Sequence, residues 1–313
     1  MKHRVLLTVF TVVNFAAFAQ QDPQFSQYMF NPLALNPAYA GSRGLPSAVL
    51  LHRSQWIGIK GAPMTESFSI HAPLWNKKIG LGLGVINDNI GPNNNMEIFG
   101  AYAYRVRLGK GNLGMALKSG LYNYRFDWTK LEFKDKNELY ATNNEVASHW
   151  LLSFDFGLYY STNTFYVGLA LNHLNQPWLG LEDPNAPTDS AYYGASFYIH
   201  NAFTIGKAFN LNDKLLMKPS LIIQALDKDT YPGKFEAGIA FLYADKLWLG
   251  VSGRMGTGLI FMTAYNFSDR FRAGYSYDLN LNALTTQTSG SHEVFIGFDM
   301  AQNKSKVLSP RYF

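Results

Sequence analysis

The stretch Trp150-Leu151-Leu152-Ser153-Phe154-Asp155-Phe156-Gly157-Leu158 alternates between two kinds of side chain. Large apolar residues occupy the even positions, whereas serine, aspartate and glycine occupy positions 153, 155 and 157. Because successive side chains of a strand point to opposite faces, this period of two predicts a β-strand with one apolar face. An apolar face opposite small or polar residues is typical of transmembrane β-barrels, which turn the apolar face to lipid.

The same alternation recurs along the chain and predicts about fourteen strands. Charged residues in these runs, such as Lys118, fall on the small and polar face. The predicted strands span residues 47–56, 65–72, 80–89, 95–107, 112–124, 150–161, 164–173, 192–207, 213–225, 233–243, 246–254, 258–267, 270–278 and 291–300. Single-chain bacterial barrels have an even number of antiparallel strands, so we predict an all-β transmembrane barrel of the outer membrane over residues 47–300.

Composition also favours strands over helices. The 313 residues include 23 Phe, 19 Tyr and 27 Gly, with 16% charged residues and a net charge of +5. Aromatic residues favour strands, whereas helices prefer Ala, Leu, Glu and Lys. The lack of cysteine excludes disulfide scaffolds, thiol catalysis and Cys-ligated zinc. No run of 18 apolar residues follows position 19, so a closed barrel is the remaining way to cross a bilayer.

The first 19 residues predict a secretory signal peptide. A Lys-His-Arg sequence at positions 2–4 precedes an apolar stretch over 5–18, and small residues at 17 and 19 predict cleavage before Gln20. Cleavage leaves 25 basic against 22 acidic side chains, a net charge of about +3. So small a positive charge does not favour nucleic acid as a partner.

The connections between strands predict the orientation of the barrel. Outer-membrane barrels have short periplasmic turns and longer external loops. If the chain enters the barrel from the periplasm, the even-numbered connections are the periplasmic ones. Those connections include the short turns 109–111, 162–163, 244–245 and 268–269, whereas the odd-numbered ones include the long segments 125–149, 174–191 and 279–290. The short odd-numbered connection 255–257 is an exception.

Catalytic and metal motifs are not apparent in the sequence. His292-Glu293 lacks the second histidine of a zinc-protease motif, and the glycines of 80–84 do not follow a nucleotide-binding spacing. The histidines at 52, 71, 149, 173, 200 and 292 have no ligand spacing, so we predict neither a metal site nor a cofactor. We predict that the protein is not an enzyme, although a serine esterase with its histidine and acid on neighbouring strands stays open. A soluble sandwich or propeller would also alternate, but its exposed apolar faces would aggregate.

Inward-facing charges of both signs have two interpretations. These residues are Lys118, Asp155, Lys218, Glu236, Arg254, Arg272, Asp278, Glu293 and Asp299. They form either a paired network that stiffens the barrel, or a polar surface that holds a plug or a passing polypeptide. The segment 20–46 is rich in Pro, Asn and aromatic residues, which favours an irregular, packed structure. We predict that it forms a periplasmic cap or a plug.

The segment QDPQFSQYMFNPLALNPAYAG at residues 21–41 closely resembles the opening of the PorP/SprF family of type IX secretion and gliding systems of Bacteroidota. The sequences RSQW at 53–56, GAPMT at 61–65 and PRYF at 310–313 are also similar to that family. The resemblance implies an outer-membrane barrel that serves secretion or surface display of large adhesins. It also implies that the protein has no enzymatic activity.

The family motif contains the candidate partner-binding or plug residues. They are Phe25, Tyr28, Phe30, Asn31, Pro32, Asn36, Pro37 and Tyr39. The two Asn-Pro pairs predict two successive turns, with apolar side chains packed between them and sealing the periplasmic mouth. Residues 301–313 are predicted to form a periplasmic tail, because the last alternating run ends near residue 300.

These observations lead to one main hypothesis and one alternative. In the main hypothesis, the barrel lies in outer-membrane lipid and binds protein partners of type IX secretion or gliding. The partner is the C-terminal domain of an exported adhesin, a set of periplasmic secretion-system proteins, or both. The alternative is an outer-membrane pore or transporter for small solutes.

Overall fold

The computed structural model describes residues 22–74, 76–134, 146–181, 193–226 and 233–300. The predicted signal peptide and C-terminal tail, and residues 135–145 and 182–192 of the two longest connections, lie outside these ranges.

The regular secondary structure of the described residues is made of strands and short 3-10 helices. The strands are β1 (Ser47–Ser54), β2 (Met64–Leu74), β3 (Ile79–Ile90), β4 (Asn93–Leu108), β5 (Gly111–Asp127), β6 (Val146–Ser161), β7 (Phe165–Asn172), β8 (Trp178–Leu181), β9 (Tyr193–Ser196), β10 (His200–Lys207), β11 (Phe209–Asn212), β12 (Leu215–Leu226), β13 (Lys234–Tyr243), β14 (Leu247–Arg254), β15 (Gly258–Asn266), β16 (Phe271–Asn280) and β17 (Ser291–Asp299). The helices are η1 (Pro32–Ala34), η2 (Pro37–Tyr39), η3 (Trp128–Lys130) and η4 (Ala283–Thr286). None of these described helices has the length and apolar character that a membrane span needs.

The strands close into an antiparallel barrel. Each wall strand pairs with its neighbour in sequence, and β1 also pairs with β17 along its whole length, from Ser47 opposite Asp299 to Ser54 opposite His292. Closure gives every wall strand a paired neighbour on both sides, so the sheet has no edge strand of the kind that lipid would not tolerate. With β10 and β11 counted as one wall strand, the barrel has fourteen strands, as predicted.

The eighth wall strand differs from its prediction of 192–207. Its first part, β10, pairs with both β7 and β12, and its second part, β11, continues along β12 after an interruption at Ala208. The strand β9, which the prediction merged with β10, pairs instead with β8 in a separate hairpin. The alternating residues that were predicted as one strand therefore belong to two strands, β9 in the hairpin and β10 in the wall.

The two faces of the wall have the predicted polarity. On β6, Leu152 and Phe154 are 46% and 43% exposed, whereas Ser153 and Asp155 are 1% and 0% exposed. Similar outward apolar side chains occur around the barrel, at Leu50, Phe68, Leu83, Ile98, Leu117, Leu169, Phe235, Leu249, Phe261, Phe271 and Ile296. An outward apolar band with a polar interior is the arrangement of an outer-membrane barrel.

The lipid-facing assignment predicts a depth-dependent cost for arginine. Leu117 lies within β5 and Leu108 ends β4 beside a turn, and both leucines are more than half exposed. We expect Leu117→Arg to destabilise the barrel by ~2–4 kcal/mol and Leu108→Arg by only ~0–1 kcal/mol. Urea titration of refolding in lipid vesicles measures both values. Equal costs at the two positions would contradict the assignment of Leu117 to the bilayer interior.

The two ends of the barrel differ in their connections. One end, here the turn end, carries the connections 75–78, 109–110, 162–164, 213–214, 244–246 and 267–270. The other end, here the loop end, carries 55–63, 91–92, 128–145, 173–199, 227–233, 255–257 and 281–290. Two loop-end connections are short, the expected exception 255–257 and also 91–92. The other loop-end connections are longer than those at the turn end, which supports an external position for the loop end.

This orientation can be tested by cysteine labelling, because the natural chain contains no cysteine. Thr286 at the loop end and Lys110 at the turn end are both exposed. We expect Thr286→Cys to react with a membrane-impermeant maleimide on intact cells. Lys110→Cys should react only after the outer membrane is disrupted. The opposite labelling pattern would show that the barrel is inverted.

Candidate functional site in the barrel lumen

Residues 22–46, here the plug, lie along the inside of the barrel. At the loop end, Asp22 contacts His173 and His200, which stand at the ends of β7 and β10. Toward the turn end, the carbonyl of Ala40 accepts a 2.7 Å hydrogen bond from Arg105 Nη1 on β4. The plug therefore extends from the loop end toward the turn end and is not confined to the periplasmic mouth.

The two Asn-Pro pairs shape the middle of the plug. Each proline begins a 3-10 helix, Pro32 in η1 and Pro37 in η2, because its fixed φ suits the first helical position and its missing N–H costs no hydrogen bond there. The Asn36 side chain also caps η2 by accepting a 2.9 Å hydrogen bond from the Ala38 N–H. The two predicted turns are confirmed.

The asparagine side chains also attach the plug to the wall. Asn31 Nδ2 donates to Ser67 Oγ at 3.2 Å, and Asn31 Oδ1 accepts from Ser69 Oγ at 2.7 Å. Asn36 Nδ2 donates to the backbone carbonyls of Leu158 and Leu169 at 2.9 and 3.2 Å. An amide supplies both a donor and an acceptor, so each buried asparagine satisfies polar groups of the wall as well as its own.

The aromatic residues of the motif pack against the wall from within. Phe30 stacks on Phe295 with 4.6 Å between ring centroids and meets Trp248 edge-on at 6.0 Å. Tyr39 makes an edge contact with Tyr159 at 5.4 Å. The Tyr28 hydroxyl donates to Ser220 Oγ at 3.2 Å.

The structure thus brings all eight candidate motif residues together inside the lumen. Tyr28, Phe30, Asn31, Asn36, Pro37 and Tyr39 are buried there, and Phe25 and Pro32 are half-buried. A side chain in this position contacts the wall, so it offers little surface to a second protein.

Wall glycines make room for the plug. A Cβ on Gly80 of β3 would lie 1.9 Å from the Ala40 carbonyl oxygen. A Cβ on Gly157 of β6 would lie 2.3 Å from Asn36 Oδ1. Any side chain at these two positions would displace the plug backbone or its asparagine.

A buried charge network holds the first half of the plug. Arg53, 1% exposed, contacts Asp278 at 2.8 Å and Glu293 at 3.2 Å, and it donates to Ser26 Oγ at 2.7 Å. Glu293 in turn accepts the backbone N–H groups of Ser26 and Gln27 at 2.8 and 2.7 Å. The network therefore pairs its own charges and also binds the plug.

Two further ion clusters line the lumen. Lys118 lies 2.7 Å from both Glu97 and Asp155. At the turn end, Arg43 of the plug and Arg272 of the wall meet Asp299 at 2.7 and 2.5 Å. The alternation in the sequence predicted inward positions for Lys118, Asp155, Arg272 and Asp299. It did not predict the lumenal positions of Arg43, Arg53 and Glu97.

Asp22 bridges two histidines at the loop end. Asp22 Oδ1 lies 2.8 Å from His173 Nε2, and Asp22 Oδ2 lies 2.5 Å from His200 Nδ1. Burial alone would raise the pKa of Asp22, but His200 and His173 hold this pKa well below its ordinary value. Burial alone would lower the pKa of His173, but the neighbouring Asp22 carboxylate raises it above the ordinary value.

Ser153, His173 and Asp22 are linked in the order of a catalytic triad. Ser153 Oγ lies 2.8 Å from His173 Nδ1, the nitrogen opposite the one that faces Asp22. In serine hydrolases the serine meets Nε2 and the acid meets Nδ1, so the two nitrogens are exchanged here. Ser153 is 1% exposed and does not line the nearby loop-end cavity, which contains Asp22, Glu97 and Lys118. A substrate carbonyl has no approach to this hydroxyl in the described chain.

Several solved structures match the chain at low sequence identity. The outer membrane protein Omp33 of Acinetobacter baumannii matches with 6% identity and a TM-score of 0.47, over 82% of this chain and 98% of its own. A Pseudomonas aeruginosa FadL homologue matches with 12% identity and a TM-score of 0.45, over 90% and 95%. The Pseudomonas putida toluene transporter TodX matches with 9% identity and a TM-score of 0.47, over 82% and 90%. No curated protein matches the sequence.

A family model gives the assignment. The model described as the type IX secretion system membrane protein PorP/SprF matches residues 17–298, which include the plug and nearly all of the wall. The match confirms the family expected from the motif at 21–41, and with the closed barrel and its apolar outer face it places the protein in the outer membrane. The chain belongs to the PorP/SprF family of type IX secretion system membrane proteins.

Proposed function

We propose that this barrel serves type IX secretion by binding protein partners, and that it neither passes solutes nor catalyses a reaction. Family membership supports a role in that secretion system. The observation that carries the proposal is the plug, which occupies the lumen through which a solute would have to pass.

The plug is attached around the circumference of the barrel. Its partners lie on β2 (Ser67), β6 (Leu158), β12 (Ser220) and β17 (Glu293), and on β4 through Arg105. Small barrels are filled by side chains, whereas porins of 16–18 strands hold an open channel. A fourteen-stranded wall lies between these sizes, and in this protein the plug occupies the lumen.

Because the plug occupies the lumen, we assign partner binding to the ends of the barrel. Met255 and Leu281, here the loop-end patch, are 70% and 62% exposed. Their two connections are hydrogen-bonded, since the Leu281 N–H donates to the Thr257 carbonyl at 2.8 Å. Exposed apolar side chains on adjacent connections favour a protein contact. We therefore assign the exported adhesin to the loop end.

Copurification from the native outer membrane tests this assignment. We expect the wild-type barrel to retain an exported adhesin that mass spectrometry identifies by its C-terminal domain. The double variant Met255→Ser and Leu281→Ser should lose most of that adhesin. Phe267→Ser, which changes a 67% exposed residue at the turn end, is the matched control and should retain it.

The opposite result would change the assignment. If Phe267→Ser removes periplasmic secretion-system proteins and the loop-end double variant removes nothing, the barrel links the translocon to the periplasm. If both variants retain every partner, partner binding at the loop-end patch and at Phe267 is contradicted. The loop-end cavity favours the alternative of a solute pore, and channel conductance tests that alternative separately.

A further inference from the structure

The first described residue of the plug meets two histidines that come from neighbouring strands. His173 follows β7 directly and His200 begins β10, and these strands pair with Asn172 opposite His200. The Asp22 carboxylate lies between the two imidazole rings, and the ligand atoms of all three residues lie within 4.8 Å of one another. Three segments that are distant in sequence thus present two nitrogens and one oxygen to the same point.

His173 is oriented for a ligand on its Nε2 atom. Its Nδ1 lies 2.8 Å from Ser153 Oγ, and its backbone N–H donates to Asp155 Oδ1 at 2.9 Å. His173 also has a φ of +59°, a left-handed conformation that non-glycine residues rarely adopt. Histidines that bind metals typically engage their second ring nitrogen in this way, which fixes the ring and its tautomer.

We propose that Asp22, His173 and His200 bind one divalent transition-metal ion, and that this ion fastens the start of the plug to the wall. Two imidazoles and one carboxylate suit zinc, which takes nitrogen and oxygen ligands at about 2.0–2.2 Å and completes its tetrahedron with water. The carboxylate would exchange its direct hydrogen bonds to the histidines for bonds to the metal. This proposal does not depend on the partner-binding function.

Calorimetric zinc titration of the full mature barrel in detergent, after treatment with a chelator, is the direct test. We expect one zinc ion per chain. Asp22→Asn and His200→Gln should each weaken zinc affinity by about a hundredfold or more. Ser153→Ala, which removes only the orienting hydroxyl, should weaken it by roughly 10–100-fold. Zinc binding by the wild type separates a metal site from a simple salt bridge, and the Ser153 result tests whether this hydroxyl orients His173 as a ligand.

His292→Gln is the matched control. His292 Nδ1 lies 2.6 Å from the Tyr275 hydroxyl in an exposed contact, on the face of β17 opposite the plug-binding Glu293, so this variant should bind zinc as the wild type does. Asp22→Asn changes no wall strand, and heat-modifiable migration on a gel verifies that each variant is folded. Absence of zinc binding in the wild type would overturn the proposal. So would unchanged affinity in folded Asp22→Asn.

Discussion

Arg53→Met should destabilise the folded protein by about 3–5 kcal/mol. The substitution leaves Glu293 and Asp278 buried at 0% and 2% exposure without the guanidinium that lies between them. It also removes the donor to Ser26 of the plug. Chemical unfolding in lipid vesicles measures the loss.

Arg270→Met provides the control, because Arg270 is an exposed arginine in a turn-end connection. Surface substitutions of this kind usually change stability by less than about 0.5 kcal/mol. If the two arginine variants are equally stable, the network around Arg53 does not hold the plug as described.

Phe30→Ala should cost about 3–5 kcal/mol, the usual range for truncating a buried phenylalanine. Phe30 is 9% exposed, and its ring contacts both Phe295 and Trp248. The cavity left by the ring cannot be filled by the rigid wall, so the plug loses its central contact. Thermal or urea unfolding measures this cost.

Phe267→Ala is the matched aromatic control, because Phe267 is 67% exposed at the turn end. We expect its cost to be small. A Phe30→Ala variant as stable as Phe267→Ala would mean that the motif aromatics do not pack in the lumen.

The wall was predictable because each strand separates lipid from a polar interior. That separation imposes a period of two, which identified the number of strands and the face of residues such as Leu152 and Asp155. The predicted bounds of the eighth strand were wrong because the alternating residues 193–196 form β9, which pairs with β8 in a separate hairpin. Periodicity indicates a strand but not the strand with which it pairs.

Arg53 was missed for a related reason. On β1 the inward positions before it are Val49 and Leu51, which are 5% and 1% exposed and belong to the apolar core that the plug forms with the wall. Where an apolar part of the plug packs on the wall, the inward residues of the wall are apolar too. Both faces of β1 therefore carry apolar residues, and alternation no longer distinguishes the inward face from the outward face. Inward-facing charged residues could be predicted from the sequence only on strands whose inward face is mainly small or polar.

The cluster of Asp22, His173 and His200 had no sequence signal. Its two histidines are adjacent only because β7 and β10 are neighbours in this register. Its aspartate joins them only because the plug starts at the loop end. Spacing along the chain therefore could not identify it.

Single-channel recording in a planar bilayer tests most directly whether the plug closes the barrel. The comparison is between the mature protein and a variant that lacks residues 22–44, each verified as a heat-modifiable barrel. We predict no steady open channel for the complete protein and a persistent conductance for the deletion variant. A steady conductance of the complete protein equal to that of the deletion variant would contradict a closed, partner-binding barrel and favour a solute pore.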